Sequence, residues 1–233
     1  MLKIPGVVIA LLWGLLGPAA YGATQWVEGK NYFVIVPAQA PSVPAGKVEV
    51  TEVFSYACPA CDHFYPVADR LAAALPPQAV MDYVPASFSP DEDWPMFQRA
   101  YYTAQILGLD KRTHDAMFDA VWKSGELATV DPRTNQLKKP APSIEDAAKF
   151  YARVAGVQPQ AFVTAAQSFG VDVKIRQAEQ FIRACGVDRT PTIIVNGKYR
   201  VTEASAGGDG QLIDLVKWLV TTAGAGSPAQ RAK

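Results

Sequence analysis

Two cysteines three positions apart, Cys58 and Cys61, stand at the junction of two local patterns. Residues 47–54 are rich in valine and threonine, as a buried strand requires. Residues 59–75 then place Phe64, Val67, Leu71 and Leu75 at the spacing of one helical face. Pro59 suits the first position of a helix, so Cys58 is predicted to be its N-cap. A sulfur there is expected to accept the first free backbone N–H groups and to feel the positive end of the helix. Both effects favour the thiolate, and the Cys58 pKa is expected below the ordinary value of about 8.5. Cys61, one turn further on, falls on the same face, within bonding reach of Cys58, and is expected to be the more buried and less reactive sulfur.

A C-x-x-C pair has other uses, as a stapling disulfide or as half of a zinc site. Zinc wants four ligands, and beyond the pair the chain offers Cys185, His63 and His114. A chain of 233 residues, 49% of them hydrophobic, can bury a core without staples, and three cysteines are an odd set. A strand that ends just before the pair and a helix that opens within it are the context that redox chemistry requires. Cys185 is expected to be buried as a small hydrophobe, and His63, five positions past Cys58, to be a partly solvated surface histidine.

The remaining pattern changes character twice. Residues 80–84 predict a second strand, completing a strand, helix, strand order. Beyond residue 87 the spacing predicts helices near 96–107 and 113–123, one starting at Ser143 with a cap from Asp146, then 160–169 and 173–185, with a loop at 131–142. Strand grammar returns at 192–195 and 199–201, joined by Asn196-Gly197, a pair suited to a type I′ hairpin turn. A closing helix is predicted over 211–222, followed by a small, polar tail over 224–233 that is expected to be disordered.

At the other end, Lys3, an apolar run over 7–16 and the small residues before Gly22 predict a secretory signal peptide over 1–22. Pro5, Gly14, Gly17 and Pro18 interrupt the run, which falls short of the roughly 20 apolar residues that a membrane anchor needs. Lysine plus arginine equals aspartate plus glutamate at 22 each, so no long-range field draws the chain to nucleic acid or anionic lipid.

Taken together, Phe54-Ser55-Tyr56-Ala57-Cys58-Pro59-Ala60-Cys61 and the later Thr190-Pro191-Thr192 and Val195-Asn196-Gly197-Lys198-Tyr199 resemble the DsbA family of periplasmic disulfide oxidases. The resemblance implies an α/β chain with a thioredoxin fold interrupted by an all-helical domain. Its thioredoxin-like parts would be 23–86 and 175–223, with the helical insertion at 87–174. By the same resemblance Cys58 is the nucleophile, Cys61 its partner and Pro191 a cis-proline beside the pair, while the Thr190 backbone pairs with an extended substrate. Glu52, an acid that interrupts the apolar strand six residues before Cys58, matches a buried carboxylate beneath the disulfide that passes protons to Cys61. Where the strongest oxidases often carry histidine before the second cysteine, this chain has Ala60, which implies a less oxidising pair.

The expected activity is donation of the Cys58–Cys61 disulfide to reduced exported polypeptides in the periplasm. No cofactor beyond that disulfide is called for, and no metal. The resemblance implies reoxidation by a DsbB-like membrane quinone reductase and a monomeric protein without nucleic-acid partners. A reductase of the same fold and a soft-metal-binding module using the C-x-x-C are the competing readings. Phe54, Tyr56 and Tyr65 are near enough in sequence to line an apolar groove at the site.

Overall fold

A computed structural model describes residues 26–131 and 133–224. The signal peptide expected over 1–22 and all but the first residue of the tail expected over 224–233 lie outside the described residues.

The centre of the molecule is β2 (Val48–Phe54), whose seven residues are all buried, as expected for a strand covered on both faces. It pairs in parallel with β3 (Ala79–Pro85), reached through the crossover helix α1 (Pro59–Ala74). On its other side it pairs antiparallel with β6 (Thr192–Val195), which continues through a tight turn into β7 (Tyr199–Val201). A two-residue strand, β1 (Phe33–Val34), closes that edge, so the sheet order is β1-β7-β6-β2-β3. The predicted Asn196-Gly197 turn is present, with both residues at positive φ (52° and 62°) and Lys198 N–H donating to the Val195 carbonyl at 3.0 Å.

Between β3 and β6 the chain inserts α2 (Trp94–Ile106), α3 (Asp110–Phe118), α4 (Ile144–Ala155), α5 (Pro159–Ala166) and α6 (Phe169–Ala184). This is the thioredoxin fold with an inserted helical part that the resemblance implied. The cap predicted at Ser143 is a full capping box: its hydroxyl accepts from Asp146 N–H at 3.2 Å, and the Asp146 carboxylate accepts from Ser143 N–H at 3.1 Å. The stretch expected to be only a loop is not one throughout. It contains a small hairpin of β4 (Val130–Asp131) and β5 (Gln136–Leu137), too short for periodicity to reveal among three prolines. The helix expected to run evenly to residue 123 widens instead into a π-turn over Asp119–Lys123. The last described elements are α7 (Glu203–Ala206) and α8 (Asp209–Gly224).

Two apolar cores result. One packs Phe64, Val67 and Leu71 of α1 and Leu212, Leu215, Val216 and Leu219 of α8 against Val48, Val50, Ile193 and Val195 of the sheet. The other joins the end of β2 to the helical insertion through aromatic rings, with Phe54 and Tyr56 meeting Phe97, Tyr101 and Phe118. Cys58 and Cys61 belong to this second core. The pair therefore sits where the sheet, α1 and the insertion converge.

Candidate active site

Cys58 is the N-cap of α1, in extended conformation (φ −84°, ψ 117°), with Pro59 at the first helical position. One detail differs from expectation: the sulfur makes no capping hydrogen bond to a backbone N–H. The Cys58 thiol donates to the Thr190 carbonyl at 3.6 Å. Cys58 is held down at about 6 chiefly by the hydrogen bond from the Cys61 thiol. Partial burial opposes this, while the Thr190 side chain and the nearby N–H groups of Cys61 and Ala60 assist. The helix terminus thus contributes as predicted, but as a lesser influence than the partner thiol.

Cys61 has the opposite environment. It is fully buried, and burial, its hydrogen bond to Cys58, the charge on that sulfur and the charge of Glu52 all push its pKa well above the ordinary thiol range. The pair is asymmetric: one sulfur poised to be thiolate at neutral pH, the other to be thiol.

Glu52 is buried in the central strand, 1% exposed, and does not face water from an edge. Burial, then the charges of Asp69 and Cys58, raise its pKa from 4.5 to about 8. One of its carboxyl oxygens, Oε2, has no hydrogen-bond partner among the described residues. A buried carboxyl of this kind is kept neutral near pH 7 and can give or take a proton there.

Thr190 and Pro191 are joined by a cis peptide bond. The ladder between β2 and β6 ends at Thr192, so both residues project past the sheet beside Cys58 and are half-exposed. The structure brings Cys58, Cys61, Glu52 and Thr190 together, with Pro191 adjoining.

The other cysteine and histidines stand apart in character. Cys185 is buried, as expected, and burial pushes its thiol up to about 11. His63 is exposed. His114 is packed among Phe54, Tyr56, Tyr83 and Phe118, shares a 2.9 Å hydrogen bond through Nδ1 with the Tyr56 hydroxyl, and is pulled down to about 4 by burial. Among the described residues no three His, Cys, Asp or Glu side chains form a group able to hold a metal ion.

The groove residues named from sequence proximity need correction. Phe54 and Tyr56 are core, 0% and 1% exposed, because the strand end that carries them is roofed by α2 and α3. Tyr65 is half-buried and stacks on Phe118. The side chain that reaches the active-site loop from the insertion is Trp122, in the π-turn, whose Nε1–H donates to the Tyr56 carbonyl at 2.8 Å. Nothing local in the sequence marks Trp122, since the contact spans 66 residues.

No family model matches the chain. Curated relatives do. It is 32% identical over 193 residues to the thiol:disulfide interchange protein DsbA of Azotobacter vinelandii, covering 82% of each chain. To the protein of the same name from Pseudomonas syringae pv. tomato it is 32% identical over 206 residues, covering 88% of each. Among solved structures it is similar to Pseudomonas aeruginosa DsbA, with a TM-score of 0.72 and 30% identity over 86% of this chain and 95% of that one. The oxidoreductase DsbA from Xylella fastidiosa gives a TM-score of 0.73 and 33% identity over 85% and 98%.

Proposed function

The chain belongs to the DsbA family of thiol:disulfide interchange proteins, and from that premise we propose that Cys58 and Cys61 are its exchanging pair and run in the oxidising direction. The observation that carries this reading is the asymmetry of the two thiols, one lowered to about 6 and the other raised.

In the oxidised protein a substrate thiolate attacks Cys58 Sγ, the Cys58–Cys61 bond breaks, and its electron pair leaves on Cys61. Glu52, neutral near pH 7, supplies the proton that makes Cys61 a thiol. A second substrate thiolate attacks the substrate sulfur of the mixed disulfide; the substrate disulfide forms and Cys58 departs as thiolate, a good leaving group because its pKa is low. Two electrons have passed from two substrate thiols to the pair. Thr190, projecting past β6, pairs its backbone with the extended substrate, and Pro191 shapes that edge.

The same reading divides the chain into thioredoxin-like parts at 23–86 and 175–223 around the insertion at 87–174. It places the protein in the periplasm as a monomer, exported by residues 1–22, oxidising newly exported polypeptides and reoxidised by a DsbB-like membrane quinone reductase. Among the described residues no helix is long and apolar enough to cross a membrane, which is compatible with that placement.

The deciding experiment equilibrates the pair with glutathione buffers of defined poise, with Cys58→Ser as control. A pair more oxidising than glutathione supports a disulfide donor despite Ala60. A clearly more reducing pair sinks the donor role and makes the protein a reductase on the same fold.

A further inference from the structure

The π-turn that follows α3 has a use at the active site. His114, Phe118 and Trp122 stand at i, i+4 and i+8, and all three meet Tyr56, two residues before Cys58. The Tyr56 hydroxyl shares a hydrogen bond with His114 Nδ1 at 2.9 Å, and its ring meets the Phe118 ring edge-on with centroids 5.0 Å apart. The Tyr56 carbonyl accepts from Trp122 Nε1–H at 2.8 Å. A regular helix turns about 400° over four residues, so such a stripe drifts by about 40° at each step. The wider turn over Asp119–Lys123, closed by Ser124 N–H donating to the Asp119 carbonyl at 2.9 Å, takes more residues per turn and offsets that drift. Trp122 is thereby returned to the face that meets Tyr56.

The far end of the same peptide is also held. Ala57 N–H donates to Ser55 Oγ at 3.2 Å, so the Tyr56–Ala57 peptide is fixed at its carbonyl from the insertion and at its N–H from within the loop. Cys58 N–H then donates to the Ser55 carbonyl at 3.1 Å. These bonds set where the Cys58 sulfur lies. Its own partners come from other elements, the Cys61 thiol on α1 and the Thr190 carbonyl ahead of β6. Contacts of that kind weaken once the turn shifts by about 0.5 Å. Tyr56 is buried, so a carbonyl released by Trp122 must turn away or stay unpaired, and either disturbs the turn.

We propose that Trp122 and His114 are positioning residues for the exchange: through the two ends of Tyr56 they hold the loop that carries Cys58, so that the insertion sets the reactivity of a sulfur placed between β2 and α1. Both act through Tyr56 and not on the sulfurs themselves. The π-turn is then part of the device, since it is what turns the indole N–H toward the loop. This inference rests on Cys58 being the sulfur that exchanges.

The test uses Trp122→Phe and Tyr56→Phe, which keep an aromatic ring and each remove one of the two hydrogen bonds. Ser143→Ala is the control, opening the α4 capping box in the same insertion without touching a bond to Tyr56. Thiolate absorbance of the reduced protein and the glutathione equilibrium of the pair are measured for each, with urea unfolding alongside. Both Phe variants should raise the thiolate midpoint by about 0.5 pH unit and shift the equilibrium about three-fold toward the protein disulfide, the size of one modest hydrogen bond. Ser143→Ala should lose stability and leave both readings where they are in the wild type. Unchanged readings in both Phe variants, whatever their stability, or an equal shift in Ser143→Ala, overturn the positioning role while leaving the exchange reading intact. A wild-type pair that neither titrates near 6 nor equilibrates with glutathione overturns the exchange reading, and this inference with it.

Discussion

At the scale of single residues the pair works by opposed environments for like groups. Cys58 at about 6 predicts that thiolate absorbance in reduced protein titrates with a midpoint near 6, while Cys61 contributes none until far higher pH. A midpoint at 8.5 or above would remove the basis for the proposed direction of exchange. Glu52 carries the converse shift, from 4.5 to about 8, because burial disfavours its charged form. The unfolded chain releases the Glu52 proton above about 4.5 and the folded protein holds it to about 8, so the stability tied to the neutral carboxyl is complete below 4.5 and is lost progressively up to 8. Glu52→Gln removes that loss. Urea unfolding should find the variant more stable than wild type by about 3 kcal/mol at neutral pH, with a much smaller difference near pH 5. A gain of equal size at both pH values would show that the carboxyl does not titrate as its burial requires. The same substitution should slow formation of the mixed disulfide, since Cys61 then leaves without its proton donor.

At the scale of elements, local signals were legible wherever one residue type settles a backbone conformation. The Asn196-Gly197 turn is such a place. A Cβ on Gly197 would lie 2.1 Å from the Gln39 carbonyl oxygen, at a φ of 62° that already disfavours side chains. Gly197→Ala should therefore cost about 3 kcal/mol of stability, whereas Gly156→Ala, also at positive φ but with open space around it, should cost only about 1. Equal losses in thermal unfolding would mean the 36–40 segment moves aside at no cost. The Ser143 cap, the central strand and α1 were readable for the same reason: each depends on spacing within a few residues. What escaped was tertiary. The β4–β5 hairpin has two residues per strand, below any period. The sulfur of Cys58, expected to depend on the helix N–H groups, also meets the Thr190 carbonyl, 132 positions away. Phe54 and Tyr56 adjoin the cysteines in sequence, yet the insertion buries both and brings Trp122 to the active-site loop. The proposed exchange residues were thus visible as types at spacings, while the surface around them was set by which helices fold back over the pair.

At the scale of the whole molecule the site and the fold are linked through redox state. The reduced protein has a Cys58 thiolate that the folded environment favours, with a pKa of about 6 against 9.0 for an unperturbed thiol; the oxidised protein has none. A depressed pKa contributes stability that is fully present above 9.0 and is lost as pH falls through 6. At pH 7 part of it is present, roughly 1 kcal/mol after allowing for solvent near the sulfur. Around the cycle of folding and reduction, whatever stabilises the folded reduced form relative to the folded oxidised form makes the disulfide a stronger oxidant by the same free energy, here about 20 mV. Glu52 is common to both states and changes the comparison only through its repulsion with the Cys58 charge, which opposes the trend at high pH. The stability of reduced protein relative to oxidised protein should therefore rise between pH 6 and pH 8, and the pair should become more oxidising, relative to an unperturbed dithiol, over the same interval. Paired urea titrations of the two forms across that interval measure the first, and glutathione equilibria the second. If the stability difference stays flat while the thiolate titrates near 6, the thiolate is equally favoured in the unfolded chain, and the oxidising strength must come from strain in the disulfide instead.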